Sequence, residues 1–165
     1  MSEVHKFYIK GHEVLIDKNK VELVCRFKWS INKTHNGNYI SVRSVNYFNG
    51  KKSHIDLHRL LTHAQSGQII DHINGNTLDN RLVNLRFCSH SQNMKNIKSR
   101  KNSNSKYKGV TIEKRGKKIK YRAFITSDGK GYSLGHFNTE IEAAKAYNEA
   151  AIKYHGEFAN LNKFE

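Results

Sequence analysis

Several features that would place a protein in a common class are missing from this sequence. It contains no proline and only two cysteines, Cys25 and Cys88, which are far apart and form no CxxC pair. This argues against a disulfide framework and a four-cysteine zinc site, and it favours reduced thiols. No apolar run approaches the roughly 18 residues of a membrane-spanning helix, and the first residues lack the apolar centre of a signal peptide. We therefore expect a cytoplasmic protein.

Negative charge is also scarce, since 14 Asp and Glu residues face 29 Lys and Arg residues and the formal net charge is +15. Such an excess suggests a polyanionic partner, of which nucleic acid is the usual one. A basic ribosomal or membrane-surface protein would share it, so charge alone leaves the function open. The 165 residues, 37% of them hydrophobic, are enough for one ordinary globular domain or two small ones.

The first part of the chain has short β-like patterns. Residues 13–29 alternate in part between apolar and polar side chains, and residues 38–48 alternate more clearly. Residues 55–64 fit a short helix or a strand running into one, because ten residues are too few for periodicity to decide. Further along, we expect a helix over 89–100 with Ser89 as its N-cap.

A linker separates this part of the chain from a second one. Residues 98–108 are rich in Lys, Arg, Ser and Asn, which places the domain boundary near 103. Beyond the linker, strands are predicted over 107–113, 119–127 and 131–137. A helix follows, and Thr139 and Glu142 form its N-terminal capping box. The expected fold class is α+β, with domains at 1–102 and 103–165.

Cutting a phosphodiester bond needs a base that activates water and hard oxygen ligands that hold a divalent cation. The sequence offers such a set within 23 residues: Asp71, His72, Asn84 and Asn93. Asp71 and His72 are neighbours at a predicted strand end, so their side chains diverge. Asn93 falls on a predicted helix that can pack back and bring a second ligand. An adjacent Asp and His is common by chance, so the prediction depends on all four residues together.

The stretch 57–93, LHRLLTHAQSGQIIDHINGNTLDNRLVNLRFCSHSQN, resembles the HNH endonucleases of phage and intron homing type. The resemblance implies a ββα-metal fold for this part of the chain. It implies that His72 is the general base and that Asp71 and Asn93 are metal ligands. Asn84 would hold the loop between the two strands and so orient His72.

The same resemblance carries further expectations about the site. The cofactor would be a divalent cation, Mg²⁺ or alternatively Mn²⁺, and no structural zinc is expected, because no zinc-binding cysteines accompany the core motif at 57–96. His58, Arg59 and Arg86 also belong to the resemblance. Each is a candidate contact to a phosphate or within the active site. A structural role for His58 and a solvated surface position for either arginine are the alternatives.

A basic segment at 95–122 carries twelve Lys and Arg residues against a single acid, Glu113. Such a segment gives strong, salt-sensitive phosphate binding through counterion release, unless it is only a solvated linker and hairpin. Phosphate contacts cannot be separated from base contacts at this level. The candidate DNA contacts are Lys108, Lys114, Arg115, Lys117, Lys118, Lys120 and Arg122.

Residues 105–162 resemble a second family, the plant ethylene-response-factor DNA-binding domain. The resemblance is carried by SKYKGV (105–110), YRAFI (121–125), LGHF (134–137), TEIEAAKAYNEAA (139–151) and HGEFANLN (155–162). It implies a three-stranded antiparallel sheet that enters the DNA major groove and is backed by one helix. Two base-reading arginines of that family fall at Thr111 and Glu113, so its recognition sequence cannot be carried over.

These patterns together predict an N-terminal HNH nuclease domain that hydrolyses DNA and a C-terminal domain that selects the site. The resemblance suggests a homing endonuclease of a phage or similar mobile element, acting on double-stranded DNA in the host cytoplasm without a membrane partner. Whether one strand or both are cut is left open, as is the oligomeric state, for which a monomer is plausible. The alternatives are a non-catalytic DNA-binding regulator with a degenerate HNH part and a basic RNA-binding protein.

Overall fold

The computed structural model describes residues 3–33, 40–97, 103–116 and 118–164. The chain divides into two compact units, Met1–Ser89 and His90–Glu165. The expected mixture of small sheets and few helices is confirmed. The boundary predicted at 102/103 lies later in the chain than this division, and as a functional boundary it stays a prediction. Within the described ranges, no helix combines the length and the apolar character that crossing a membrane requires.

The first unit is built from short antiparallel strands and two short helices. Its elements are β1 (Val4–Ile9), β2 (His12–Asp17), α1 (Val21–Cys25), β3 (Trp29–Lys33), β4 (Ile40–Phe48), β5 (Lys51–Asp56), α2 (Leu57–Thr62), β6 (Ile69–His72) and β7 (Leu85–Cys88). β1 pairs with β2, β3 to β5 form a second sheet in chain order, and β6 pairs with β7.

The core of the first unit gathers apolar side chains from its sheets and helices. Val14 and Ile16 alternate on β2, and Leu57 and Leu61 lie one turn apart on α2, so each pair faces one side of its element. Burying a side chain of this size stabilises the fold by about 1.5–3 kcal/mol. Leu78, from the loop that follows β6, packs against this cluster. The buried members are Val14, Ile16, Val24, Val42, Leu57 and Leu61.

The loop between β6 and β7 is held against β2 by hydrogen bonds. The Leu15 N–H donates to the Leu78 carbonyl at 2.9 Å, and the Asn80 N–H donates to the Leu15 carbonyl at 2.8 Å. Oδ2 of Asp17 accepts a bond of 2.7 Å from the Leu82 N–H. These bonds satisfy backbone groups that would otherwise be buried without partners, and they give a polar loop a defined path.

The second unit is a sheet covered by a helix. Its elements are α3 (His90–Asn96), β8 (Val110–Arg115), β9 (Lys118–Ser127), β10 (Lys130–Phe137) and α4 (Glu140–His155). The strands are antiparallel in the order β10-β9-β8, and α4 packs on one face, where Ala143, Ala144 and Ala151 are fully buried. The predicted capping box is present, since the Glu142 N–H donates to Oγ1 of Thr139 at 3.2 Å.

Some local predictions are corrected by the structure. Residues 18–25 form a 3-10 turn followed by α1 rather than a strand, and Val24 of α1 is buried in the core of the first unit. The first strand of the second unit begins at Val110 and not at 107, since Gly109 turns the chain with a φ of +74°. Helix α3 ends at Asn96, and the last predicted residues of that helix lie outside the described ranges.

Candidate active site

Asp71 and His72 end strand β6, within its pairing with β7. Asp71 lies opposite Arg86 in the antiparallel register, and His72 lies opposite Leu85. Consecutive residues of a strand point to opposite faces, so the two side chains lie on different sides of the hairpin. Both residues are buried, with 6% of each exposed. Burial of a carboxylate and an imidazole is costly unless partners compensate for the lost water.

The Arg86 guanidinium holds the Asp71 carboxylate. Its Nε and Nη2 atoms donate to Oδ2 at 2.9 and 2.7 Å, and the two side chains are only 12% and 7% exposed. Charge-assisted bonds of this length are strong and directional, so they fix the orientation of the carboxylate. Arg86 therefore lies beside Asp71, while a contact from Arg86 to a phosphate stays a prediction.

His72 is an imidazole whose surroundings favour the neutral form. Burial lowers the pKa of His72, and this effect outweighs the hydrogen bond to Asn80 and the charge of Asp71, which both raise it. Nε2 of His72 lies 3.3 Å from Oδ1 of Asn80. A neutral imidazole at neutral pH can accept a proton from water, which is what a general base must do.

The His58 ring packs edge-on against the His72 ring, with centroids 5.4 Å apart and an angle of 71° between the planes. Burial, followed by the charge of His72, lowers the pKa of His58 to about 4. His58 is therefore neutral at neutral pH and adds no positive charge beside His72. Sequence reasoning left a direct and a structural role open for His58, and the geometry brings it to the site through its ring contact.

Asn84 ties together the two ends of the loop that follows His72. Its Nδ2 donates to the Asp79 carbonyl at 2.8 Å, and its Oδ1 accepts from the Asn74 N–H at 3.0 Å. The Asn84 carbonyl also accepts from the Ile73 N–H at 2.9 Å. These hydrogen bonds connect the two ends of the loop directly after His72, as expected of an asparagine that holds a loop in place.

Sequence reasoning missed a second set of hydrogen bonds in the same loop, centred on the Asp79 carboxylate. Arg81 donates from Nε and Nη2 to the two carboxylate oxygens of Asp79, at 2.7 and 2.6 Å. Nδ2 of Asn74 adds a bond of 3.0 Å to the same carboxylate. The Arg81 hydrogen bond is the main reason that the pKa of Asp79 is lowered. The Asp79–Asn80–Arg81 triplet inside the motif was a possible signal for these bonds. The sequence alone does not show that Arg81 binds Asp79.

Arg59 braces a loop rather than facing an open surface. Its Nη1 donates to the Gln68 carbonyl at 2.7 Å, and its Nη2 donates to the Gln65 carbonyl at 2.6 Å. These bonds close the segment between α2 and β6, which begins with His63 in the left-handed conformation. The geometry favours a structural role for Arg59, and its predicted phosphate contact stays untested.

The predicted metal ligands lie in different units. Asp71 is on β6, whereas Asn93 is half-buried on α3, in the second unit. Their donor atoms, a carboxylate and an amide oxygen, are hard oxygens of the kind that Mg²⁺ and Mn²⁺ prefer. Among the described residues, no three or more His, Cys, Asp and Glu side chains cluster as a metal site would require. A site built from one Asp and one Asn would not form such a cluster.

The predicted DNA contacts of the second unit differ in their exposure. Lys108 is half-buried, and its Nζ donates to the Lys95 carbonyl at 2.6 Å. Burial lowers the pKa of Lys108 to about 8. These observations favour a structural role for Lys108. The side chain of Arg115 and the whole of Lys117 lie outside the described residues.

The remaining candidates share one feature, which is a position on β8 or β9. Arg122 is half-buried, with its guanidinium 5.5 Å from the centre of the Phe124 ring. Thr111 pairs with Arg122 and Glu113 pairs with Lys120 across the two strands. The exposed lysines of this set are Lys114, Lys118 and Lys120.

A carboxylate and a neutral imidazole on one hairpin, followed by an asparagine-held loop, are typical of a hydrolase that activates water. Comparison with known proteins identifies the family of hydrolases to which the chain is similar. The sequence profile of the HNH endonucleases matches residues 58–95. An uncharacterised HNH endonuclease of Acanthamoeba polyphaga mimivirus is 32% identical over 162 residues, which cover 94% of this chain and 78% of that protein. The chain therefore belongs to the HNH endonuclease family, as the sequence predicted.

Further similarities are shorter or more distant. Protein 3.8 of Escherichia phage T7 is 32% identical over 95 residues, covering 58% of this chain and 76% of that protein. An APETALA2-like protein 2 of rice is 44% identical over 59 residues, or 35% of this chain and 13% of that protein. A solved structure of DNA binding and cleavage by the HNH homing endonuclease I-HmuI is 19% identical, covers 92% of this chain and 91% of that one, and has a TM-score of 0.35. That distant likeness carries no argument here.

Proposed function

We propose that this HNH endonuclease cuts double-stranded DNA in a reaction that depends on a divalent metal ion. The observation that carries the proposal is the buried His72 beside Asp71, inside a segment that matches the HNH profile. Burial lowers the pKa of His72, so its imidazole is neutral and ready to accept a proton. The site thus contains a base and a carboxylate, the two groups that metal-assisted phosphodiester hydrolysis needs from the protein.

His72 is the general base in this proposal. It takes a proton from a water molecule, whose oxygen attacks the phosphorus in line with the bond to the 3′ oxygen. That bond breaks, and the 3′ oxygen leaves. His58 packs against the base and stays neutral, so it does not oppose the positive charge that His72 gains. Asn84 keeps the loop after His72 in place through its three hydrogen-bonded neighbours.

Asp71 and Asn93 would hold the metal ion, with Mg²⁺ as the expected ion and Mn²⁺ as a substitute. When bound, such an ion stabilises negative charge on the phosphoryl group and on the departing 3′ oxygen. Two hydrogen bonds from Arg86 reach Oδ2 of Asp71, and a carboxylate has about four acceptor positions in all. Arg86 orients the carboxylate and balances its charge.

The second unit would hold the DNA and select the cleavage site. Its basic strands agree with this role, since segment 95–122 has twelve basic residues and one acidic residue. Phosphate contacts made by such a segment release counterions, so binding must weaken steeply with salt. A homing role follows from the family resemblance, with the functional boundary near 103.

Cleavage of supercoiled plasmid and of total DNA from the encoding organism tests the proposal. The wild-type chain should produce nicked or linear DNA with Mg²⁺ or Mn²⁺ and none in excess EDTA. His72→Gln should bind the same DNA and leave it intact. Intact DNA with the folded wild-type chain in both metals would favour a non-catalytic DNA-binding regulator. Tighter binding to RNA than to duplex DNA at matched salt would favour an RNA-binding protein.

A further inference from the structure

Helix α3 carries the proposed metal ligand Asn93 and is very short. It has seven residues, His90–Asn96, which is well below the roughly 12–15 residues at which an isolated helix becomes marginally stable in water. It therefore needs stabilising contacts from outside the helix. The HNH profile match ends at residue 95, whereas the second unit begins at His90. The last part of the matched segment thus folds with the second unit.

Two side chains of the second unit bind the carbonyl end of α3. Nζ of Lys108 donates to the Lys95 carbonyl at 2.6 Å, and Nδ2 of Asn160 donates to the Asn96 carbonyl at 2.6 Å. The last four carbonyls of a helix have no donor within the helix, so these side chains supply donors that the helix lacks. The ammonium of Lys108 also lies at the negative end of the helix dipole. Lys108 and Asn160 therefore cap α3.

The two capping residues are tied to each other and to α4. Oδ1 of Asn162 accepts from the Lys108 N–H at 2.7 Å, and Nδ2 of Asn162 donates to the Lys108 carbonyl at 3.0 Å. Asn160 lies two residues before Asn162 in the same segment. The Asn162 N–H in turn donates to Oδ1 of Asn148, on α4, at 2.8 Å. Both caps are thus held in fixed positions, and they act on α3 together.

The ion pair between Lys95 and Asp128 is a weaker contact of the same helix. Nζ of Lys95 lies 3.2 Å from Oδ1 of Asp128, but the Asp128 side chain is 75% exposed. Ion pairs with an exposed partner contribute little to stability. The side chains of Lys108 and Asn160, in contrast, are half-buried, and hydrogen bonds are stronger where water is partly excluded. The two caps should therefore stabilise α3 more than the ion pair does.

We propose that Lys108 and Asn160 are positioning residues of the metal site, which fix the carbonyl end of α3 and so place the amide oxygen of Asn93. This inference rests on the proposed function, because Asn93 is a metal ligand only if that function holds. Asn93 belongs to the last turn of α3, so fraying of that turn would move its side chain. The second unit would then contribute to hydrolysis as well as to DNA binding.

Hydrogen exchange of the α3 amides tests the capping without metal or DNA. In the metal-free full chain, Lys108→Met and Asn160→Leu each remove a donor at similar side-chain volume. Each should make exchange at the end of α3 faster by about 2- to 10-fold, which corresponds to the loss of one hydrogen bond. Lys108→Arg keeps a donor and should restore part of the protection. Asn104→Leu is the matched control, because Asn104 donates to the carbonyl of Ile112 on β8 and not to α3, and it should leave exchange in α3 unchanged.

The affinity for Mn²⁺ then connects α3 to the metal site. Free Mn²⁺ is measured by electron paramagnetic resonance without DNA, so altered DNA binding cannot contribute. Lys108→Met and Asn160→Leu should each raise the dissociation constant by about 10-fold, as found for groups that orient a metal ligand. In an Asn93→Ala background they should add nothing further, because they act through Asn93. Lys106→Met removes an exposed positive charge two residues from Lys108 and should leave the affinity at the wild-type value.

The outcomes separate this inference from the proposed function. If the wild-type chain binds Mn²⁺ and cleaves DNA, unchanged α3 exchange or unchanged Mn²⁺ affinity in both folded variants overturns the inference and leaves the nuclease in place. Losses that add to that of Asn93→Ala also overturn it. A wild-type chain that neither binds Mn²⁺ nor cleaves DNA overturns the proposed function, and the exchange rates then still decide whether the two side chains hold α3. If Lys108→Met does not fold, Asn160→Leu gives the decision.

Discussion

Replacing Arg86 by Met should destabilise the first unit strongly. The substitution keeps most of the side-chain volume but leaves the Asp71 carboxylate, 7% exposed, without its guanidinium partner. Removing one partner of a buried ion pair costs about 3–5 kcal/mol, because the remaining charge stays buried and uncompensated. A unit of this size loses about 4–8 °C in Tm for each kcal/mol. We therefore expect Arg86→Met to lower Tm by at least about 12 °C.

Fluorescence of the single tryptophan provides the assay. Trp29 is the only tryptophan and lies on β3, so selective excitation follows unfolding of the first unit alone. Measurements belong in excess EDTA, because a bound cation would compensate Asp71 in the variant. Arg26→Met is the matched control. Arg26 also pairs with a carboxylate, that of Glu22, but both side chains are largely exposed, at 66% and 87%. The control should change the free energy of unfolding by no more than about 0.5 kcal/mol.

A second substitution tests the cause of the loss. Asp71→Asn removes the buried charge, so the double variant Asp71→Asn/Arg86→Met should be more stable than Arg86→Met alone. Coupling between the two positions in a double-mutant cycle measures this directly. If the free energy of unfolding of Arg86→Met lies within about 0.5 kcal/mol of the wild-type value, the Asp71–Arg86 ion pair does not stabilise the first unit. The same conclusion follows if adding Asp71→Asn to Arg86→Met recovers no stability.

Three further predictions concern acid stability, packing and DNA binding. Arg81 lowers the pKa of Asp79 in the folded state, so this carboxylate stabilises the fold above its unfolded pKa, near 4. The contribution is lost as pH falls through the folded pKa. In urea unfolding from about pH 5 downward, Arg81→Met should therefore lose less free energy of unfolding than the wild type. Gly109→Ala should unfold the second unit at much lower temperature in calorimetry, since its Cβ would lie 1.9 Å from an aromatic ring carbon. Lys120→Gln should lower the slope of log K for duplex DNA against log salt by about 1, as expected when one phosphate contact is lost.

Each of these predictions has a matched control or a contrary outcome. If low pH destabilises Arg81→Met and the wild type equally, Asp79 is not the source of the acid-dependent loss of stability. Gly116→Ala shares the positive φ of Gly109, but its Cβ would meet no atom of the described residues within 4 Å, so it should cost only the backbone strain of about 1 kcal/mol. An equal cost for both substitutions would contradict the packing argument. Lys145 is exposed on α4, and Lys145→Gln should leave the salt slope unchanged if the sheet binds the DNA.

The parts of the site that the sequence could predict are those determined by neighbours along the chain. Asp71 and His72 are adjacent, and a strand must end near them because a turn-forming segment follows. The capping box of Thr139 and Glu142 likewise depends on one local spacing, and it is present. Asn84 belongs to the same short stretch, family resemblance gave it the role of holding the loop, and its hydrogen bonds to the loop agree with that role.

The parts that it could not predict depend on contacts between distant segments. The Asn80 contact to His72 exists because the loop docks on Leu15, 65 residues earlier in the chain. Lys108 looked like an exposed phosphate contact, but its ammonium donates to the Lys95 carbonyl from a half-buried position. Residues 21–25 read as part of a strand, and they form α1 because Val24 enters the core from a helical turn. Hydrophobic periodicity over a few residues cannot predict such contacts between distant segments.

The proposed role of His72 as the base of a metal-dependent DNA endonuclease is tested most directly by the single-turnover rate of His72→Gln. The substrate is duplex DNA that contains a site mapped by sequencing the ends that the wild-type chain produces with Mg²⁺ or Mn²⁺. At equal DNA occupancy and with an unchanged Tm, the variant should cleave at least about 100-fold more slowly, as expected for loss of a general base. A folded variant that cleaves at the wild-type rate would contradict the account.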